Sequence, residues 1–360
     1  MSRAFRFAVA TAAIAWAPPL GAQAAASLPG PSFAHHDWEI VCDNTRTCRA
    51  AGYSSEDKAR RVSILLTRAA GQRSPITGQL MLGRYGDEDE SSYDALPQDI
   101  PLRLRINGRV IGTLIVPQDS LQADLPPPHV AALLAAVRGH ATIEWSFGAN
   151  TWQLSDTGAA AVLLKMDEFQ RRVFTLGAII RKGPRGEAHV LPPLPVPVVV
   201  AAAIVEGLPS DADLARSEAL RYALRGSLGP DGECTDLTDQ TTSAGALTIT
   251  RLSTRKLLVA AQCWTAAYNE GIGYWVIDAQ APFHPVLVTE SGSDFSDGEI
   301  FSEQKGRGLG DCWSSSRWTW DGHQFVRTAA STTGMCRLMA PSGAWSLPRI
   351  VTALRARNFQ

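Results

Sequence analysis

Residues 305–312, with the sequence KGRGLGDC, contain the residue types and spacing most typical of a binding site. Three glycines alternate with other residues there, so backbone N–H groups can be exposed, and Lys305 and Arg307 add cationic donors. Such a loop can bind an anion, and we expect Lys305, Arg307 and Asp311 to contact a ligand. The alternative is a turn or bulge whose glycines make room for a disulfide at Cys312. A nucleotide-binding phosphate loop would need a helix directly after the glycines, whereas a strand pattern follows here.

Tryptophan and tyrosine side chains are concentrated in the second half of the chain. Trp318 and Trp320 are two residues apart, so on a strand they lie on the same face. Together with Trp313 they could stack on sugar rings or anchor a protein partner if they are exposed. We expect all three at the ligand-binding surface. If they are buried instead, they form the core of a small β domain.

The sequence carries no recognisable catalytic motif. It has no HExxH pair of zinc ligands and no GxSxG nucleophile turn. His284 or His323 could act as a base, with Asp297 or Asp311 as the orienting acid, although an isolated histidine is more often structural. We therefore favour a non-catalytic protein, and an envelope hydrolase with an unrecognised active site is the alternative.

The composition is that of a folded protein without a strong charge. Of the 360 residues, 45% are hydrophobic and 19% are charged, which excludes intrinsic disorder. A formal net charge of -1 gives no electrostatic reason to expect nucleic acid or an anionic membrane as a partner. We expect no cofactor and no metal, and we expect the partner to be an envelope protein or a small ligand.

The first residues have the features of a secretory signal peptide. Arg3 and Arg6 form a short basic start, residues 7–17 are mostly apolar, and two prolines and a run of small residues follow. This apolar run is too short to cross a hydrocarbon core of about 30 Å. We predict that residues 1–26 are removed, and that the mature chain is periplasmic and has no transmembrane span.

The six cysteines form an even set on a chain predicted to be exported, which favours disulfides. Cys42 and Cys48 stand alone in the first half of the chain, so we expect them to bond to each other. Their spacing is too wide for the close thiolate pair of a zinc site. The other four allow three pairings, between which the sequence does not decide. These four are Cys234, Cys263, Cys312 and Cys336.

The order of strand and helix patterns divides the chain into two parts. Residues 33–182 contain strand patterns followed by helix patterns, with a hairpin signal at Asn107-Gly108. Residues 183–209 are rich in proline and glycine, which is typical of a linker. After one leading helix, residues 210–360 contain only short strand patterns, which predict an antiparallel meander. We therefore expect an α+β fold of two mainly antiparallel β domains with a few short helices, cross-linked by disulfides.

Capping residues predict where two of the helices begin. Asp156 or Thr157 can cap a helix that starts at residue 159 and ends near Arg172. Residues 210–213 can cap a second helix, which continues through Arg225.

Part of the first half is similar to a known family of secreted proteins. The strand WEIVC at residues 38–42, followed by Cys48, resembles the opening of the invasion-associated locus B family of secreted bacterial proteins. The run at residues 121–139 and the helix pattern at residues 156–164 follow in the order of that family. The resemblance implies a secreted α+β domain over about 150 residues.

The second half carries more specific motifs. AAQCWTAAYN at residues 260–269, KGRGLGDC at residues 305–312 and WTWDG at residues 318–322 occur in this order and are followed by Cys336-Arg337. Together they resemble a secreted proteobacterial family that is catalogued as domain of unknown function 1176. That resemblance covers nearly the whole mature chain, and it implies no established activity, cofactor or catalytic residue.

Overall fold

The structure is a computed structural model that describes residues 28–86, 93–230, 232–239 and 247–356. In these residues four antiparallel sheets of four to six strands dominate, with a few short helices between them. This confirms the expected α+β fold of mainly antiparallel sheets cross-linked by disulfides. The predicted signal peptide, residues 1–26, lies outside the described residues.

Three disulfides cross-link the chain. Cys42 is bonded to Cys48, which is the pairing expected from their isolation in the first half. The remaining four cysteines form the pairs Cys234–Cys263 and Cys312–Cys336. All six cysteines are therefore engaged in bonds close in sequence, and none of them is a free thiol.

The first sheet has apolar side chains on both of its faces. Trp38, Ile64 and Leu80 point to one side, whereas Val41 and Leu65 point to the other, because successive side chains of a strand alternate. Both faces of this sheet must therefore be covered. Its strands, in spatial order, are β1 (Ser32–His35), β2 (Trp38–Cys42), β3 (Cys48–Tyr53), β4 (Val62–Arg68), β5 (Ile76–Leu82) and β8 (Gln122–Asp124).

A second sheet and two helices cover the first of these faces. Trp145 and Trp152 from this sheet are fully buried against Trp38 of the first sheet. The predicted hairpin turn is confirmed, since Asn107 and Gly108 have φ of 50° and 78°. The elements are β6 (Asp99–Ile106), β7 (Arg109–Pro117), β9 (Ile143–Phe147), β10 (Asn150–Leu154), α1 (Pro127–Ala136) and α2 (Ala159–Phe169).

The start of α2 differs from the predicted cap. Gly158, with φ of 99°, precedes the helix, and no side chain caps it. The carboxylate of Asp156 instead accepts a hydrogen bond of 2.7 Å from the backbone N–H of Ala141. The prediction of Asp156 or Thr157 as the cap was therefore wrong, because a tertiary contact takes the carboxylate away from the helix.

The helix predicted across residues 210–225 is divided into two. The structure has α3 (Asp211–Leu214) and α4 (Glu218–Gly226), and the hydroxyl of Ser217 caps the second one by accepting from Leu220 N–H. The carboxylate of Asp211 binds the guanidinium of Arg251 instead of capping a long helix. A buried ion pair therefore lies at the start of the first helix, and that helix is one turn long.

The C-terminal half forms two further sheets in the predicted antiparallel meander. The third sheet consists of β12 (Thr248–Arg251), β13 (Lys256–Thr265), β14 (Glu270–Asp278) and β15 (Val286–Gly292). The fourth consists of β16 (Asp294–Ser296), β17 (Glu299–Lys305), β18 (Trp313–Trp320), β19 (Phe325–Thr332) and β20 (Leu347–Ile350).

Each face of the third sheet has its own apolar core. Trp275 packs on one face with α4 and α5 (Thr235–Thr238), next to the Cys234–Cys263 disulfide. Tyr274 and Val276 lie on the other face and pack against Ile300 and Trp320 of the fourth sheet. The two C-terminal sheets therefore share one core, which fixes the fourth sheet and the loop that follows β17.

Residues 335–347, here called the strap, cover the outer face of the first sheet. Met339, Ala344 and Trp345 of the strap are buried against Val41, Leu65 and their apolar neighbours on that face. The indole N–H of Trp345 donates to the hydroxyl of Ser63 at 2.7 Å, and this hydroxyl donates to the carbonyl of Gly52 at 2.8 Å. The strap therefore completes a core that the first sheet cannot close by itself.

The Cys42–Cys48 loop holds the segment that follows the strap. The side-chain amide of Asn44 donates to the carbonyl of Val351 at 3.1 Å and accepts from its N–H at 2.8 Å. Farther on, β21 (Ala353–Ala356) pairs in parallel with β11 (Val198–Ala201) of the proline-rich segment. The C-terminal segment therefore contacts both the Cys42–Cys48 loop and the proline-rich segment.

We expect Trp345→Ala to lower the free energy of unfolding by about 3–5 kcal/mol, because it leaves a large cavity between the strap and the first sheet. Urea unfolding followed by circular dichroism measures this change. Trp345→Phe removes the hydrogen bond to the Ser63 hydroxyl but keeps most of the apolar contact. Because most of the contact remains, it should lower the free energy of unfolding less than Trp345→Ala does. Equal stability of Trp345→Ala and the wild type would contradict a covering role for the strap.

The buried imidazole of His129 on α1 should make the stability of the protein depend on pH. Its side chain is 4% exposed, Nδ1 has no hydrogen-bond partner, and burial lowers its pKa. The folded chain therefore resists protonation, whereas the unfolded chain binds a proton below about pH 6.5, so stability is lost as the pH falls through that value.

In the wild type, His129 should lower the free energy of unfolding by up to about 1 kcal/mol between pH 7 and pH 5.5. We expect this decrease to be absent in His129→Leu. Thermal or urea unfolding at a series of pH values gives the slope. His140→Leu is the matched control, since the His140 side chain is fully exposed. The assignment to His129 fails if both variants keep the wild-type slope.

Candidate functional site

The glycine-rich loop of residues 305–312 connects β17 to β18 and is held in one conformation. The side-chain amide of Asn269 donates to the carbonyl of Lys305 and accepts from its N–H, both at 2.9 Å. A Cβ on Gly306 would lie 2.6 Å from Sγ of Cys312, so only glycine fits beside the disulfide. This loop is therefore a fixed turn around a disulfide.

Asp311 ties the loop to the strap. Its carboxylate accepts hydrogen bonds of 2.7 and 2.6 Å from Arg307 and one of 2.7 Å from the N–H of Leu338. Burial acts to raise the pKa of Asp311, but the hydrogen bonds from Arg307 and Leu338 outweigh it, so the pKa lies below its ordinary value. The carboxylate therefore stays ionised, and its hydrogen bonds to Arg307 and Leu338 have a structural role.

Arg337, directly after Cys336, ties the strap to the N-terminal sheets. Its guanidinium lies 3.0 Å from the carboxylate of Asp37 and 3.2 Å from that of Glu56, and it donates to the carbonyl of His36. Because Cys336 is bonded to Cys312, the loop, the strap and the edge of the first sheet meet at one place.

A half-buried carboxylate, that of Glu39, supports the start of the strap at the same place. Oε1 of Glu39 accepts hydrogen bonds of 2.7 Å from the hydroxyl of Tyr53 and from the N–H of Met335. Burial raises the pKa of Glu39 and raises that of Tyr53 well above its usual value, so the Tyr53 hydroxyl stays protonated and donates. These two side chains fix the strap at the outer face of the first sheet.

A cavity of about 180 Å³ opens at this junction. It is lined by three guanidinium groups from separate segments, those of Arg61, Arg307 and Arg337. The one carboxylate in its lining belongs to Glu56. Of these residues the sequence predicted only Arg307 as a candidate and did not indicate Arg61, Arg337 or Glu56, because no motif links residues from such separate segments.

A second concavity, of about 320 Å³, lies beside Trp313. Nζ of Lys305 lies 5.4 Å from the centre of the Trp313 ring, and the indole N–H donates to the carbonyl of Gly310. The rest of the lining is hydroxyl and carboxylate side chains. They are Glu303, Ser314, Ser315, Thr333 and Ser342.

The six residues predicted to bind a ligand do not form one surface. Lys305 lies over the ring of Trp313, whereas Arg307 borders the cavity at the junction. Trp320 is 1% exposed and lies in the core between the third and fourth sheets, with Trp318 packed against that core. The spacing of two residues does put both indoles on one face, but that face is the inner one.

One group of side chains in the described residues has the proximity of metal ligands, namely Asp311, Cys312 and Cys336. Both sulfurs are in a disulfide, and the carboxylate is bonded to Arg307 and Leu338. Metal ligation by cysteine needs a free thiolate, so this group does not fit a metal.

The two histidines considered as catalytic bases lie in separate turns. Nδ1 of His284 lies 2.8 Å from the carboxylate of Asp278, which also binds Lys256 at 2.8 Å. The N–H of His323 donates to Asp321 in the turn between β18 and β19. The hydrogen-bond partners of Asp311 are Arg307 and Leu338, so neither histidine is oriented by Asp311.

Within the described ranges no helix has both the length and the apolar character needed to cross a membrane.

This chain is similar to a curated protein in sequence and has a weak likeness to a solved structure. The uncharacterized protein YpfG of Escherichia coli (strain K12) is 28% identical over 363 residues, which cover 91% of this chain and 93% of YpfG. The crystal structure of invasion associated protein b from Bartonella henselae matches 39% of this chain and 99% of that chain, with 16% identity and a TM-score of 0.25.

The family model described as protein of unknown function (DUF1176) matches residues 32–352. The matched range begins at β1 and includes the glycine-rich loop, the strap and β20. This chain therefore belongs to the DUF1176 family of proteins of unknown function.

Proposed function

We propose that this protein is exported to the periplasm and acts there as a non-catalytic binding protein. The signal-like residues 1–26 and three disulfides support export, since disulfides persist in oxidising compartments. In this proposal residues 33–182 and 210–360 act as two domains joined by residues 183–209, and the second domain carries the ligand-binding surface.

The observation that carries the proposal is the rigid aromatic surface at Trp313. The loop beneath it is held by the Cys312–Cys336 disulfide, by Asn269 and by Asp311, so little conformational entropy is lost when a ligand binds. Tyr268 and Leu309 are 46% and 57% exposed, and both belong to this loop or lie beside it. A preformed surface of this kind suits the binding of a ligand.

The lining of the concavity favours a glycan as the ligand. An indole ring can stack on the apolar face of a sugar, and hydroxyl and carboxylate side chains can bond to its hydroxyl groups. Ser314, Ser315 and Thr333 supply hydroxyls, and Glu303 supplies the carboxylate. A volume of about 320 Å³ lies at the lower end of the range found for small-ligand sites, which fits one or two sugar rings.

Export predicts that the protein recovered from the periplasm of a Gram-negative host lacks its first 24 or 26 residues. Small residues at positions 22 and 24, and at 24 and 26, suit a signal peptidase. Intact-mass measurement of alkylated protein should show this truncation and no modified cysteine. An uncleaved amino terminus with alkylated thiols contradicts the proposal.

Glycan binding predicts that Trp313→Ala weakens the affinity for an oligosaccharide at least about tenfold, because the stacking surface is lost. Titration calorimetry with N-acetylglucosamine and glucose tetrasaccharides measures this effect. Trp313→Phe should keep part of the affinity. The matched control is Tyr222→Ala, which removes a 78% exposed aromatic ring from α4.

A second variant tests the same concavity without removing Trp313, whose loss could also disturb the packing around it. Ser314→Arg changes an exposed residue of the lining and should block the concavity without disturbing the core. Saturable binding that is lost in Ser314→Arg and kept in Tyr222→Ala supports the glycan site. Absence of saturable binding to either tetrasaccharide, or equal affinity of all variants, overturns it.

A further inference from the structure

The cavity of about 180 Å³ at the junction of loop, strap and first sheet lies apart from the concavity at Trp313. Its cationic lining has three sources, namely Arg61 between β3 and β4, Arg307 in the glycine-rich loop and Arg337 in the strap. We propose that this cavity binds a small oxyanion, carried by a phosphate or a carboxylate group. The proposal goes beyond the glycan site and does not depend on it.

Two of the guanidiniums are held in place by carboxylates that bind nitrogens other than Nη1. Asp311 binds Nε and Nη2 of Arg307, which leaves Nη1 for a ligand. Asp37 and the carbonyl of His36 bind Nη2 of Arg337, so Nη1 remains for the cavity. Guanidinium groups that are oriented in advance lose little freedom when they bind an oxyanion.

Glu56 already shows the kind of group that fits. Its Oε1 lies 3.2 Å from Nη1 of Arg337, and its charge also acts on Arg307. Yet the Glu56 side chain is 79% exposed, so it is not anchored and can swing into water. The carboxylate of Glu56 therefore stands where the oxyanion of a ligand would bind, and it competes with that ligand.

The size and charge of the cavity limit the ligand class. A volume of about 180 Å³ is below the ~300–1,000 Å³ of sites for drug-sized ligands, so the bound part is a small group. The guanidinium groups in the lining only donate hydrogen bonds, so they suit the acceptor oxygens of an anion. Because the lining comes from both halves of the chain, a bound oxyanion would also hold them together.

The test is calorimetric titration of the purified chain in a chloride buffer, with inorganic phosphate in one arm and succinate in the other. We expect Glu56→Gln to bind at least one of these anions about tenfold more tightly than the wild type, because a competing carboxylate is removed. Arg61→Gln should weaken binding by about the same factor. The arm that responds identifies the oxyanion as phosphate or carboxylate.

Glu206→Gln is the matched control. It makes the same change of net charge at another exposed glutamate, so a general electrostatic effect would appear equally in both variants. Tighter binding in Glu56→Gln alone supports the site. Equal affinities of Glu56→Gln and Glu206→Gln, or no binding of either anion to the wild type and Glu56→Gln, overturn it. Glu56→Gln alters an exposed side chain, so this result does not require Arg61→Gln to fold.

The anion site and the glycan site can fail separately. Ser314→Arg is expected to leave the anion affinity within twofold of the wild type, because Ser314 lines only the concavity at Trp313. Glu56→Gln is expected to leave the tetrasaccharide affinity unchanged for the corresponding reason. If Ser314→Arg and Glu56→Gln each lost both anion binding and tetrasaccharide binding, the two sites would not be distinct.

Discussion

The need to cover the outer face of the first sheet governs the arrangement of this protein. That face carries Val41, Ala51, Tyr53, Leu65 and Met81, and full burial of a valine, leucine or methionine side chain contributes roughly 1.5–3 kcal/mol to stability. Sheets with one solvated face are common among antiparallel folds, but this one is apolar on both faces. The strap supplies the missing layer, and in doing so it connects the fourth sheet to the first.

The polar contacts at the junction follow from this arrangement. Glu39 and Tyr53 fix the start of the strap, Asp311 and the Cys312–Cys336 disulfide fix its next residues, and Asn44 holds the backbone just beyond β20. Most of the charge in the glycine-rich loop is therefore committed to structure. What remains for ligands lies at the borders of the loop, with an indole on one side and guanidinium groups on the other.

Local features of the sequence predicted turns, strands and one disulfide, but they did not predict the tertiary contacts that assemble these elements. The Asn107-Gly108 turn and the Cys42–Cys48 pair depend on neighbours in the chain, so their residues predicted them. Asp156 and Asp211 have helix-capping side chains, but tertiary partners use both carboxylates instead. Alternation predicted one shared face for Trp318 and Trp320 without telling which face is buried. The contacts of Glu56 and Tyr53 with the strap span about 280 residues and left no local signal.

The bond between Trp345 and Ser63 joins residues 282 positions apart, which has a consequence for how the chain matures. A chain that emerges amino terminus first, from a ribosome or from a translocation channel, exposes the early strands before the segment that shields them. During that interval an apolar surface stays open to other unfinished chains. A chaperone that binds unfolded polypeptides would therefore have its greatest effect before the strap emerges.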